Sequence, residues 1–374
     1  MTNVSRIEQA LCRATGRRFA VLVGNGTAGL ALCLEALGAA GRSVVLPDAV
    51  CINVPLAAMF SGALARYAEV HPTELGLETQ SLAPALQGAA ALIAVHGHGS
   101  ITDLAAQQAL AETAGCALIE DACLAFGGHV GGKVGDRPAG SFGIASVLSF
   151  GAGKPLTLDH GGAVLTDDAP LARALRALDA ALPAFSPEAQ ERIDALGAQH
   201  TRLYNAHYGA GLAAHAPAFR QQALAERVSF LHRFNPARAP GLWHALPTLA
   251  ERVAQRWAHL EALHALIEPL LGDGLQWLAP TPGAVPWRYN LLVSDGAAGH
   301  QARHTLMRRL HAAGLHASSW HPPASDFLAD RPAGHPVATR IGQQILNLWL
   351  DDTCTPVYRT AVQRLIAEHR HAFA

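Results

Sequence analysis

Charge is scarce in this chain. Asp, Glu, Lys and Arg make up 15% of its 374 residues, and the formal net charge is −1. Both signs are spread along the sequence. No basic tract marks a nucleic-acid surface, and no polybasic patch marks a membrane surface. Long apolar runs are missing too: no stretch of about 18 uninterrupted apolar residues reads as a membrane span. The six cysteines, Cys12, Cys33, Cys51, Cys116, Cys123 and Cys354, include no CxxC pair. That excludes a zinc ribbon or dithiol redox motif and fits reduced, mostly buried thiols. Met1 to Arg18 has no apolar core followed by a cleavage site. A secretory signal is therefore not expected, and a cytoplasmic location is. Histidine is plentiful at 20 residues, and His200, His207 and His215 can share a helix face. No cysteine or carboxylate accompanies them at ligand spacing, so no metal site is expected.

Half the residues are hydrophobic, which indicates a packed globular protein. The length suits two domains. Strand-like runs at Phe19–Val23, Ser43–Leu46, Ala63–Tyr67, Ala90–Val95, Cys116–Ile119, Ile144–Phe150 and Ala163–Thr166 alternate with helical stretches in the first half. This predicts an α/β fold: a mostly parallel sheet with helices on both faces. From Ala169 to about Phe230 the pattern is helical, broken at Pro183 and Pro187. Leu246–Leu271 reads as one long helix or a kinked pair. Strands at Tyr289–Val293 and Ile345–Leu350, and helices at His300–Ala313 and Pro356–His369, complete the chain. The division expected is a large domain over 1–245, with a variable helical region at about 169–230, and a small α+β domain over 246–374.

Ligands of such sheets bind beyond the carboxyl ends of the strands. Lys154 lies there, on the glycine-rich loop Gly151-Ala152-Gly153-Lys154. In a partly dry pocket a lysine loses its proton more easily and can form a Schiff base; otherwise it is a surface-loop lysine. Gly26-Thr27-Ala28 opens a helix, where free amides and the helix dipole suit a phosphate, although Thr27 serves equally as an N-cap. Asp121 ends an apolar strand and can hold a protonated ring nitrogen, or it caps the next helix. Ser149 can bond a phosphate, or it is a satisfied buried hydroxyl.

With these residues in this order, the chain resembles the DegT/DnrJ/EryC1/StrS aminotransferases, often called sugar aminotransferases. Their fold is aspartate-aminotransferase-like (fold type I of the pyridoxal-phosphate enzymes), with a three-layer α/β/α large domain and a smaller C-terminal α+β domain. The matches are Asn25-Gly26-Thr27-Ala28, Pro47, Val95-His96-Gly97-His98-Gly99 with Asp103, Ile119-Glu120-Asp121-Ala122, Gly140-Ser141-Phe142-Gly143, Ser149-Phe150 with Lys154, and Leu156-Thr157 with Gly161-Gly162-Ala163. Ile345-Leu346-Asn347-Leu348 resembles the closing strand. The likeness is dense from about residue 6 to 168, thin to about 245, and a matter of pattern beyond.

The resemblance implies pyridoxal 5′-phosphate bound to Lys154 as a Schiff base. It implies Asp121 at the pyridine nitrogen, Gly26, Thr27, Ala28 and Ser149 at the phosphate, and Cys123 near the ring. Lys154 and Asp121 are the implied catalytic pair. It also implies a homodimer with active sites at the interface. The implied reaction moves an amino group from an amino acid, glutamate or glutamine, to a keto sugar or other small keto intermediate of a biosynthetic pathway. Dehydratase relatives carry histidine where Lys154 stands, so lysine points to transfer.

The chain departs from the family at several positions. Leu124 stands where a glutamine or histidine normally bonds the cofactor's phenolic oxygen. Cys51 stands where an aromatic normally stacks on the ring; His96 or His98 can substitute. Asp159-His160 replaces the usual Gly-Glu, so His160 reaches substrate or only shapes the turn. His96 and His160 are the substrate-contact candidates; Arg202, Arg233, Trp320 and His321 are further ones, for each of which a surface or interface role is the stronger reading. The family's partner-chain asparagine falls at Leu231 on one alignment and at Tyr204-Asn205 on another. The stretch from about Ala180 to Ser229 is several tens of residues longer than usual on the first. These departures keep two alternatives open: elimination, condensation or other carbanion chemistry on the same cofactor, and a non-catalytic relative that keeps the fold.

Overall fold

The computed structural model describes residues 3–131, 136–207, 212–272 and 274–373, with backbone alone at Ala206 and His207. Its strands are β1 (Phe19–Val23), β2 (Ser43–Pro47), β3 (Leu64–Ala68), β4 (Ala91–Val95), β5 (Ala117–Asp121), β6 (His129–Val130), β7 (Arg137–Pro138), β8 (Ala145–Ser149), β9 (Gly162–Thr166), β10 (Leu275–Leu278), β11 (Arg288–Val293), β12 (Ala317–Ser318) and β13 (Ile345–Trp349). Seven form one sheet in the order β1-β9-β8-β5-β4-β2-β3. Strand β9 runs antiparallel to β1 and β8, and the remaining pairs are parallel. The carboxyl ends of β1, β4, β5 and β8 therefore share one edge.

The side-chain period of two explains why these strands read as continuous apolar runs. In β1, Val21 and Val23 enter one core while Ala20 and Leu22 enter the other. In β4, Ile93 and Val95 oppose Leu92 and Ala94 in the same way. A sheet covered on both faces has no solvent side to pattern. The helix Gly26–Ala36 is buried from Gly26 through Leu34. By contrast, Asn3–Thr15 is amphipathic and buries Ile7 and Leu11, one turn apart, each contributing about 1.5–3 kcal/mol relative to exposure.

A second, antiparallel sheet has the order β10-β11-β13-β12. Its core joins Leu291 and Leu346 to Leu263, Leu306 and Ile366 of the helices Leu249–Ile267, Ala297–Ala312 and Pro356–His369. The long helix is shorter than the predicted Leu246–Leu271, because single 3₁₀ turns containing Pro247 and Pro269 flank it; proline supplies no amide to the ladder. Strands β10 and β12 are absent from the sequence reading. The predicted helical region resolves into Ala169–Ala181, Pro187–His207, Leu212–Ala225 and Arg227–Phe230. Among the described residues, no helix is long and apolar enough to cross a membrane.

Candidate active site

Strand β5 delivers two adjacent carboxylates to opposite faces, as strand geometry requires. Glu120 turns into the core, where it accepts from the Gly140 amide at 2.7 Å, the Phe142 amide at 2.8 Å and His96 Nε2 at 3.0 Å. Asp121 turns the other way, to a cavity of about 310 Å³ that Lys154 also lines. One Asp121 oxygen accepts from the Cys123 amide at 3.0 Å, closing the turn after β5; no helix starts there, so the helix-cap reading does not hold. Gly26, Thr27, Cys51, Cys123, Ser149 and His160 line the same cavity.

The phosphate-type cradle is built at the start of Gly26–Ala36. Asn25, not Thr27, is the N-cap: its side-chain oxygen accepts from the Ala28 amide at 2.8 Å. That engages the Ala28 amide and leaves the amides of Gly26 and Thr27, and the Thr27 hydroxyl, at the helix end facing the cavity. Space at Gly26 is tight. A Cβ there would stand 3.1 Å from Cys123 Sγ and 3.2 Å from Ser149 Cβ. Ser149 Oγ accepts from the Gly151 amide at 3.4 Å, a long bond that leaves the hydroxyl proton available.

Lys154 is held through its backbone. Its carbonyl accepts from Thr157 Oγ1 at 2.9 Å and from Arg256 Nη2 at 3.2 Å. Two thiols flank the lysine. Burial pushes the Cys51 thiol up, partly opposed by the Lys154 charge. Burial and then the Asp121 charge push the Cys123 thiol well up. Both therefore stay protonated and do not compete with the lysine as nucleophiles.

The histidine candidates separate. His96 is fully buried, does not line the cavity, and has both ring nitrogens engaged: Nδ1 accepts from the Thr102 amide at 3.4 Å and Nε2 meets Glu120. His160 does line the cavity, but its ring stacks on Phe185 at 4.1 Å and its Nε2 lies 3.3 Å from Asn235 Nδ2. His98 packs against Trp287 and His321 at 5.4 Å each. Burial pushes His98 down to about 3, and burial drives His321 well down, with the neighbouring Lys154 adding to the shift. This neutral stack adjoins the lysine. Leu124 is absent from the cavity wall, and Asn205 lines a different groove with His300, His304 and Arg308. Leu231 is buried in the core, Arg202 is exposed, and Arg233 lines a separate groove. Among the described residues no three His, Cys, Asp or Glu side chains gather as a metal site. The side chain of His207 lies outside the described residues.

The sequence reading missed Leu30, Asn53, Val54, Gln190, Ile193, Asp194 and Phe230, which also line the cavity. They come from elements whose packing carries no local signature. A further signal was open to reading. Only two lysines occur in the chain, Lys133 and Lys154, so a pocket lysine here is no product of an abundant residue type. Lys133 lies outside the described residues.

Comparison with known proteins places this geometry. The structure is similar to that of DesV from S. venezuelae in complex with a ketimine intermediate, at 22% identity and a TM-score of 0.75, over 99% of this chain and 90% of that one. It is similar to Helicobacter pylori PseC, an aminotransferase involved in the biosynthesis of pseudoaminic acid, at 16% identity and a TM-score of 0.78, over 100% and 92%. NtdA from Bacillus subtilis with bound cofactor PMP matches at 17% and 0.75, over 99% and 78%. At these identities the likeness establishes the fold, that of the fold type I aminotransferases. The family model, described as the DegT/DnrJ/EryC1/StrS aminotransferase family, matches residues 2–362. Carried by that match over nearly its whole length, the chain belongs to the DegT/DnrJ/EryC1/StrS aminotransferase family of pyridoxal-phosphate-dependent transferases.

Proposed function

We propose that the Lys154 cavity holds pyridoxal 5′-phosphate and that the enzyme moves an amino group from glutamate or glutamine to a small biosynthetic ketone. The observation that carries this is the convergence of Lys154, Asp121, Ser149 and the Gly26–Thr27 helix start on one cavity. The residues fit the group. Gly26 leaves room that a Cβ would fill, and the amides of Gly26 and Thr27 with Ser149 Oγ form an anion cradle at a helix N-terminus. The Asp121 oxygen not bonded to Cys123 holds a proton on the ring nitrogen. When bound, the cofactor supplies an electron sink for the pair left at the donor's Cα. Lys154 Nζ anchors the cofactor, takes the Cα proton and returns it during transfer. Cys51 and Cys123, as neutral thiols, pack the ring site, and His160 closes one side of the cavity.

The family resemblance further supports a homodimer; the six scattered cysteines support a cytoplasmic location, and the change of pattern along the chain supports a division into domains at about residue 245. Light scattering on the purified protein tests the dimer. Adding L-glutamate to the cofactor-loaded protein is expected to bleach its visible absorbance, and Lys154→Ala to abolish the response. No response to any amino acid would overturn the proposal. Leu124 favours one second reading, since an apolar side chain makes no bond to the phenolic oxygen. In that case the product keeps its amino group and no bleached form builds up.

A further inference from the structure

The residue that caps the phosphate-type cradle is itself held from the far end of the helical region. Asn25 Oδ1 accepts from the Ala28 amide at 2.8 Å. A backbone amide only donates, so this bond fixes which end of the Asn25 side chain is oxygen. Nδ2 then points the other way, donating to the Phe230 carbonyl at 2.8 Å and to His232 Nε2 at 3.3 Å. Both side-chain protons are spent. Phe230 also lines the Lys154 cavity, so one short stretch of chain supplies part of the wall and holds the cap of the cradle.

The same directions fix the protons of His232. Its Nε2 faces a donor and accepts. Its Nδ1 lies 3.0 Å from the Arg233 carbonyl and donates. The ring is therefore neutral, with its single proton on Nδ1. It is buried, with Phe185 edge-on at 5.3 Å and the backbone of Gly24 against it. A Cβ on Gly24 would stand 2.5 Å from Nδ1. Burial lowers the His232 pKa, and the bond to the Arg233 carbonyl opposes that shift. The titratable groups around it are basic: His160, stacked on the other side of Phe185 and lowered in part by the His232 charge, and Arg233, whose charge acts on Asp179. Among the described residues no carboxylate pairs with the ring. A second ring proton would set an N–H against the two N–H protons of Asn25. An Asn25 amide that turns its oxygen to the ring takes that oxygen away from Ala28, next to Gly26 and Thr27.

Resting on the cofactor reading above, we propose that His232 is a positioning residue for the cofactor phosphate: its neutral ring holds the Asn25 cap, and protonation of that ring opens the Gly26–Thr27 cradle. The test is calorimetry of the full chain with pyridoxamine 5′-phosphate, which binds without a Schiff base to Lys154. A lowered histidine is neutral at pH 8 and gains its proton below about pH 6.5, so the cradle is intact at high pH and lost as pH falls. His232→Gln keeps an acceptor for Asn25 and has no proton to gain. Between pH 8 and pH 5 the wild-type protein should lose about tenfold more affinity than His232→Gln, the equivalent of one pKa unit; the comparison cancels titration of the ligand's own phosphate. His232→Phe removes the acceptor and should weaken binding at pH 8 about fivefold, as for loss of one hydrogen bond. In the cofactor-free protein it should also speed hydrogen exchange in the peptide around Ala28. Pyridoxal, which has no phosphate, should label Lys154 on borohydride reduction equally in all three proteins. Equal pH slopes in wild type and His232→Gln, or an equal loss with pyridoxal, overturns the inference. If the wild-type protein binds pyridoxamine 5′-phosphate and these outcomes fail, only the inference falls. If it binds neither that ligand nor pyridoxal 5′-phosphate, the cofactor reading falls as well.

Discussion

Arg256 and Lys154 are joined through the backbone: the buried guanidinium of Arg256 donates to the Lys154 carbonyl at 3.2 Å and to the Gly153 carbonyl at 3.3 Å. The other guanidinium nitrogen reaches the carbonyls of Pro286 and Trp287 at 3.4 and 3.3 Å. One side chain of the long helix thus ties the lysine loop to the approach of β11. Burial lowers the Arg256 pKa, and the charges of Asp351 and Asp352 oppose that shift.

Arg256→Ala leaves those carbonyls without their donor. The expected cost is about 1–3 kcal/mol of stability, read as a lower thermal midpoint. Lys154 also loses its fixed position, so kcat falls more than KM rises. Arg256→Lys, with a single donor centre in place of the planar fork, should restore only part of either.

Borohydride reduction of the cofactor-loaded protein should label the peptide containing Lys154. Lys133 is the only other lysine in the chain, so peptide mapping has two outcomes to separate. Label on Lys133, or label surviving in Lys154→Ala, would remove Lys154 from its role. Turnover in Lys154→Ala should fall by about 10²–10⁴, the range for losing a positioned acid–base group.

Gly26→Ala introduces a Cβ at 3.1 Å from Cys123 Sγ and 3.2 Å from Ser149 Cβ. The helix itself gains from alanine, so the fold should persist. The expected result is weaker cofactor binding at near-unchanged thermal stability in the cofactor-free protein. Equal cofactor affinity in the two proteins would show that the phosphate sits elsewhere.

His200 is buried among Phe219, Trp320 and Phe327, and its Nε2 has no hydrogen-bond partner among the described residues. Burial pushes its pKa down to about 3. A depressed histidine is neutral when folded and takes a proton when unfolded, so the unfolded state gains as pH falls below about 6.5. Stability should drop between pH 6.5 and about 3, by about 1.4 kcal/mol per pH unit for this residue. His200→Phe should flatten that slope in denaturant titrations at pH 7 and pH 5. A slope unchanged in the variant would assign the loss to other groups, His98 first among them.

The strands of the large sheet were legible because burial on both faces makes each one a short apolar run, and glycine or proline punctuates their ends. Phe19–Val23 and Pro356–His369 agree with the structure residue for residue. The sites at strand ends followed from the same logic, since Asp121, Ser149 and the Asn25-Gly26 turn each close a strand. Strands β10 and β12 were not legible. One has four residues with Gln276 and Trp277 partly or fully exposed, and the other has two residues, and neither supports a period.

Local sequence determined which residues carry chemistry: a lysine on a glycine-rich loop, a strand-end aspartate, a small-residue helix start. It could not decide between Glu120 and His96 as site residues or as core. The twist and pleat of β5 and the turn after β4 decide that, by sending Glu120 and His96 inward to satisfy each other. Nor could it place the helix Pro187–His207. Its position depends on contacts from Tyr204 to Gly342 and from Phe185 to His160, pairs remote or unpatterned in sequence. Periodicity reports which face of a helix is apolar; only the assembled packing says what that face is packed against, and here it placed Gln190 and Asp194 on the wall of the Lys154 cavity.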